Sequence, residues 1–281
     1  MTRTIEMADE KPRQARPANP QLTLNLAPDP GFERENFFVS GSNEQAYAMI
    51  ELWPSWPDPT LLILGPPGAG KSHLGAIWAS LAKAGVQSAA SLAAEDIEAL
   101  AAAGPLLLDD ADAIGQSEAR LFHLVNLMRE RGTALVLTAK TPPDAWGLRT
   151  ADLLSRLRLA PTAVIRPPDD ALMRAVLVKL LVDRQLVVDT RVVGYIALRI
   201  ERSLDAARAF IDALDREALA RQSRISRAIA GDVLRAMGYG GKQDPFHDEQ
   251  DRSDGGSGED RIPMTPPLTV RRSGSSGLGG L

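Results

Sequence analysis

The chain reads as an α/β fold: a parallel sheet covered by helices on both faces, followed by a small all-α unit. Three observations carry this reading. Short, almost wholly apolar runs alternate with helix-period segments up to about residue 166, as expected of strands buried on both faces. Strand signals stop at Asp169, and four amphipathic stretches follow. A glycine-rich loop joins the first apolar run to the first long helical segment.

The elements follow in order. Thr60–Leu64 (TLLIL) is a buried strand, and Gly70–Ala84 is a helix behind it. Val86–Ala90 is a weak strand and Pro105–Leu108 (PLLL) a strong one. Ser117–Arg131 is helical, Thr133–Thr138 (TALVLT) is a strand, and Ala163–Arg166 is a short last strand. Asp169–Arg184, Asp189–Arg199, Ser203–Arg221 and Ser226–Met237 read as helices. Ser203 and Ser226 suit N-caps, and Gly238 suits a C-terminal stop. Residues 1–35 are rich in proline and charge and show no period. The tail from Lys242 holds 7 Gly, 5 Ser and 4 Pro in 40 residues against 7 apolar ones. Such a segment cannot bury enough to offset its ordering entropy. The expected organisation is therefore a disordered arm (1–35), an α/β domain (36–167), a helical domain (168–240) and a disordered tail (241–281).

Composition narrows the class. The 281 residues are 44% hydrophobic and 24% charged, with net charge −4. That balance argues against a protein that coats nucleic acid or an anionic membrane. With no Cys, disulfides, zinc thiolates and thiol nucleophiles are excluded. The three His (His73, His123, His247) lie far apart in sequence, which disfavours a His-rich metal site. No apolar run approaches the ~20 residues that span a bilayer, and residues 1–20 lack a signal-peptide core. A cytoplasmic protein with no membrane partner is expected.

The sharpest motif is Gly65-Pro66-Pro67-Gly68-Ala69-Gly70-Lys71-Ser72, which satisfies G-x-x-x-x-G-K-[ST] between a strand and a helix. Glycines let backbone N–H groups curl around phosphate oxygens, and the helix N-terminus adds its positive dipole. Lys71 is positioned to reach the outer phosphates of ADP or ATP, and the Ser72 hydroxyl to bind Mg²⁺. Leu106-Leu107-Leu108-Asp109-Asp110 places two carboxylates at a strand end, 38 residues after Lys71. Asp109 suits the magnesium ion, and Asp110 suits a general base for the attacking water. Asp112 reads as a cap or solvated loop residue. Thr138, at the tip of another strand, could hold the lytic water or the γ-phosphate, with Lys140 next; an ordinary strand-ending Thr is the competing reading. Arg156, in Leu154-Ser155-Arg156-Leu157-Arg158, is either a surface residue or an arginine finger reaching a neighbouring subunit. Trp53, Trp56 and Trp78 read as packing rather than a base-stacking platform, and His73 as packing on its helix. Arg221, Arg224 and Arg227 read as a solvated face, with contact to a clamp or DNA as the alternative.

Together these pieces resemble the AAA+ ATPases: phosphate loop, double-Asp strand, sensor strand, arginine finger and helical lid, in that order. The resemblance narrows to the initiator clade that includes DnaA. Glu35-Asn36-Phe37-Phe38-Val39-Ser40-Gly41-Ser42-Asn43 resembles the segment opening that clade's ATPase domain. Leu154-Ser155-Arg156-Leu157, followed by Arg166-Pro167-Pro168-Asp169, is similar to its arginine-finger region and lid entry. The resemblance spans about residues 35–238 and implies nucleotide contacts from Phe38 and Val39. No DNA-reading domain is expected after the lid. Gln21-Leu22-Thr23-Leu24-Asn25-Leu26 is similar to the clamp-binding hexapeptide of the Hda family, DnaA-related proteins that inactivate DnaA. An extended peptide can seat Leu22, Leu24 and Leu26 in apolar pockets, while Gln21 hydrogen-bonds at the entrance.

This likeness implies a negative regulator of replication initiation. Its partners would be the DNA polymerase III sliding clamp (β), the initiator DnaA and, through the clamp, DNA; a homodimer or oligomer is also compatible. Arg156 would act in trans on ATP bound to DnaA. Two competing readings are a loader-type ATPase acting directly on DNA and a nucleotide-binding scaffold tethered to the clamp. The likeness departs at one place. Where the clade carries an Arg early in the third lid helix, this chain has Asp205 or Ala206, with Arg202 or Arg208 about one turn away. Arg208 is the nearest candidate for that nucleotide contact, and weak or no ATPase activity of the chain's own is expected.

Overall fold

A computed structural model describes residues 34–239. The hexapeptide Gln21–Leu26, the rest of the expected arm before Arg34, and the expected tail lie outside the described residues. The strands are β1 (Thr60–Leu64), β2 (Gly85–Ser88), β3 (Leu106–Asp109), β4 (Leu135–Ala139) and β5 (Thr162–Val164). All pair in parallel, in the order β2-β3-β4-β1-β5. The helices before and within the sheet are α1 (Glu44–Glu51), α2 (Lys71–Ala82), α3 (Ile97–Ala102), α4 (Glu118–Glu130) and α5 (Ala151–Leu159). After it come α6 (Asp170–Asp183), α7 (Thr190–Ala197), α8 (Leu204–Arg221) and α9 (Arg227–Ala236).

The two-residue period of a strand sorts β1 into two cores. Leu61 and Ile63 pack with Ile50 of α1, Leu74, Ile77 and Trp78 of α2, and Val136 of β4. Leu62 faces the opposite way, with Leu108, Leu137, Leu121, Leu124 and Met128. This is why Leu61–Leu64 carries no polar position after Thr60: both faces of β1 are covered. The edge strand β2 is mostly exposed and begins one residue earlier than expected, and this half-solvated setting explains its weak apolar signal. The sequence reading did not single out α1, α3 or α5. Helices of six to nine residues span too few turns to show a clear period. A third cluster, centred on Leu177, Ile196, Phe210, Ile211, Leu214 and Ala230, forms the core of α6–α9.

Side-chain caps define the helical layer. Asp169 accepts from Leu172 N at 2.8 Å and Asp189 from Arg191 N at 2.7 Å. Ser203 and Ser226 accept from Ala206 N and Ile229 N, each at 3.4 Å. The Asp169 carboxyl is held below the usual carboxylate range, chiefly by the Leu172 N–H, with the Ser40 hydroxyl contributing.

Candidate nucleotide site

The phosphate loop leaves the C-terminal end of β1, between β4 and β5. This is where strand order departs from chain order, the usual ligand crevice of an open α/β sheet. Gly65 is pinned there: its N–H donates to Ala139 O at 3.2 Å, and a Cβ would stand 2.6 Å from Ile165 O. Gly68 and Gly70 have φ of +65° and +99°, a left-handed region costly for other residues. Those two turns bring the chain into α2 with Lys71 and Ser72 as its first residues. Lys71 is buried, and its Nζ donates to Pro66 O at 3.0 Å. Burial pushes its ammonium below the usual lysine range, while Asp110, Asp112 and Asp109 pull the other way.

Around that lysine the sheet gathers the acidic and hydroxyl groups. Ser72 Oγ donates to Asp109 at 3.0 Å (Oδ2) and 3.2 Å (Oδ1). Thr138, fully buried, donates its hydroxyl to Asp109 Oδ1 and accepts from Asp110 N at 2.9 Å. Asp110 has φ of +54°, and its Oδ1 lies 3.8 Å from Lys140 Nζ. So Lys71, Ser72, Asp109, Asp110, Thr138 and Lys140 form one constellation at three adjacent strand ends. A hydroxyl and a carboxylate about one hydrogen bond apart are hard oxygen donors. They fit a magnesium ion that keeps waters and takes its other ligands from phosphate. The Thr138 contacts also give it a definite role: it ties the Asp109 carboxylate to the Asp110 backbone. Replacing it with Val would orphan the Asp110 N–H and loosen Asp109. The expected loss is about 1–3 kcal/mol of stability, read by chemical denaturation, together with weaker magnesium-dependent nucleotide binding in calorimetry.

Comparison with known structures reports the same architecture. Domain III of the Thermotoga maritima replication initiation protein DnaA superposes with a TM-score of 0.63 at 21% identity, covering 74% of this chain and 97% of that one. AMPPCP-bound DnaA from Aquifex aeolicus gives 0.57 at 21% identity, covering 68% and 67%. The fold is the AAA+ fold of DnaA domain III. A variant of Thermotoga maritima RuvB is also similar, at 0.53 and 17% identity, covering 68% and 65%. No protein-family model matches the chain, and no curated protein matches it in sequence.

On this AAA+ frame the remaining candidates separate. Asn43 is buried and clamps the opening segment: its Nδ2 donates to Phe38 O at 2.9 Å, and its Oδ1 accepts from Ser40 N at 2.8 Å. Phe38 lies against α6, in a shallow groove of about 450 Å³ with Arg174 and Val178, and Val39 is exposed. The ring beside the phosphate loop is Phe37, 3.8 Å from where a Gly70 Cβ would be. It stacks on Tyr47 at 5.6 Å and meets the edge of His73 at 5.2 Å. His73 therefore packs against Phe37. Trp78 is fully buried between Trp56 and Trp53.

Sequence reasoning missed Ser203, read only as a cap. Its hydroxyl would overlap a Cβ on Gly68, and the next residue, Leu204, donates its N–H to Gly68 O at 2.8 Å. The start of α8 thus sits directly on the phosphate loop. Asp205 comes with it: its Oδ2 is 3.2 Å from the same Cβ position. Arg208 pairs with Asp205 at 3.2 Å, whereas Arg202 pairs with Asp170 at 2.7 Å. Of the two arginines, Arg208 is thus linked to the loop, through Asp205. Arg156 stands apart. Its Nε donates to Asp152 at 3.1 Å, and its guanidinium lies 5.9 Å over Phe122. Among the basic residues of α8 and α9, Arg221 bonds Glu217 and Asp232, and the Arg227 guanidinium lies over Tyr195. Among the described residues no cluster of three or more His, Asp or Glu could hold a metal by itself, and no helix could cross a membrane.

Proposed function

We propose that this chain is a replication regulator of the Hda type: an AAA+ protein, recruited by the sliding clamp, that promotes hydrolysis of ATP bound to DnaA. ADP or ATP with Mg²⁺ would occupy Lys71, Ser72 and Asp109. The observation that supports this reading most is the setting of Arg156. Its hydrogen bond and ring contact are to Asp152 and Phe122, neither of them part of the phosphate-loop constellation. An arginine so placed suits a partner's γ-phosphate better than its own chain's. Two domains of like fold can also pack head to tail, so that one supplies a group to the other's site. At the chain's own loop, Asp205 Oδ2 stands against Gly68, and the resemblance puts Asp205 or Ala206 where its clade carries an arginine, which supports weak turnover of its own.

The experiment is reconstitution. DnaA ATPase should rise only when this protein and DNA-loaded clamp are both present. No stimulation with all components present would end the proposal. Tight, salt-sensitive DNA binding without the clamp would favour a loader instead. Recruitment is checked separately. Replacing Leu24 and Leu26 with Ala removes two apolar anchors, so clamp affinity should fall about 100-fold or more. Unchanged co-elution with the clamp would eliminate the hexapeptide.

A further inference from the structure

At the opposite end of the sheet from the phosphate loop lies a pocket of about 640 Å³. Trp53, Trp56, Pro57, Asp58, Pro105 and Arg129 are among the residues that line it. It opens at the N-terminal ends of β1, β3 and β4, so it is no part of the nucleotide site. Its walls are built rather than incidental. Trp56 stacks on buried Trp78 at 5.8 Å, and Trp53 meets Trp78 edge-on at 6.5 Å. The Trp56 indole donates to Met49 O at 2.7 Å, which fixes its ring. Arg129 pairs with Asp58, whose other oxygen accepts from Thr60 N at 2.9 Å. The Trp53 indole N–H has no acceptor among the described residues. Aromatic faces with a free indole donor and a nearby cation are the chemistry that takes up an extended, proline-rich peptide. Proline rings lie on the indoles, a carbonyl accepts the N–H, and little chain entropy is lost because φ is already set.

The chain carries such a segment close by. Arg34, the first described residue, donates to Tyr47 OH at 2.9 Å and pairs with Glu51 at the end of α1. Trp53 follows Glu51 by two residues. The first described residue is thus held beside the C-terminal end of α1, two residues before Trp53 of the pocket lining. Four to six residues upstream stands Pro28-Asp29-Pro30, within about 12–19 Å of chain at ~3.1 Å per residue. We infer that this pocket is the seat of the chain's own arm, with Pro28 and Pro30 on Trp53 and Trp56 and the Asp29 carboxylate toward Arg129. Docking there would hold the adjoining residues Gln21–Leu26 against the body of the protein. The pairing does not depend on what those residues bind.

The absence of cysteine makes the test clean. A spin label on Ala27→Cys in the full chain should strongly broaden the indole N–H signals of Trp53 and Trp56. Trp146, at the other end of β4, should keep its intensity. Pro28→Gly with Pro30→Gly in the same labelled chain should restore both signals. Equal intensities for Trp53, Trp56 and Trp146 in the labelled parent would overturn the inference. So would broadening that arises only between differently labelled chains in a mixture, which would give the pocket to a second copy.

Discussion

Arg156→Ala should leave the fold and clamp binding intact while abolishing stimulation of DnaA. An arginine supplied in trans to a phosphoryl-transfer site contributes roughly 10³–10⁵ in rate, so the stimulated rate should fall by about three orders of magnitude or more. Stability should hardly move. The side chain is one-third exposed, and its ion pair with Asp152 is an i,i+4 surface contact, which contributes only about 0.3–0.5 kcal/mol. The helix is held by other means. Glu118 accepts from Arg149 N at 2.8 Å and Thr150 N at 2.6 Å at the start of α5, and Leu153 and Leu157 are buried. The decisive measurement is single-turnover hydrolysis of DnaA-bound ATP with DNA-loaded clamp, beside a thermal melt of the variant. Stimulation that survives the substitution would leave this protein a tether rather than an activator.

The second large effect is expected at Gly68→Ala. Its φ of +65° costs a residue with a Cβ about 1–2 kcal/mol. The new methyl would overlap Ser203 Oγ and lie 3.1 Å from Ser203 Cβ, an overpacking worth about 1–3 kcal/mol more. Ser203 cannot simply turn away, because its hydroxyl caps α8. The melting temperature should fall on the order of 10 °C, and the Leu204–Gly68 hydrogen bond should be strained or lost. Nucleotide would then stabilise the variant less than the parent, as read by the shift in melting temperature on adding ADP. The double variant Gly68→Ala, Ser203→Ala relieves the overlap but not the φ strain, so it should recover part of the loss. Additive losses in that cycle would mean that α8 and the phosphate loop are not coupled.

The two effects differ in how far the sequence announces them. The phosphate loop is legible because its chemistry is local. Eight consecutive residues must turn sharply, present N–H groups and end in a lysine on a helix, so the motif carries its own geometry. The strand ends are legible for a related reason: Asp109 and Thr138 each close an apolar run, and parallel strands bring such ends together. Arg156 is one of several helical arginines, and only the order of motifs, read as a resemblance, singles it out. Ser203 reads as an ordinary cap, and the resemblance points to Phe38 and Val39, whereas the ring beside the loop is Phe37. Nothing in a linear pattern says which of two adjacent rings turns inward.

What the sequence determined by itself is therefore the sheet, the phosphate loop and the four later helices, because each rests on periodicity or on contacts within a few residues. What only the tertiary structure decided is the meeting of separate segments. The start of α8 lies on Gly68, 135 residues earlier than Ser203. Thr138 ties Asp109 to the Asp110 backbone, and Trp53 and Trp56 wall a pocket with Arg129. These contacts arise because buried polar groups need partners and apolar faces need cover. Which partner or cover is available depends on the packing of the whole chain.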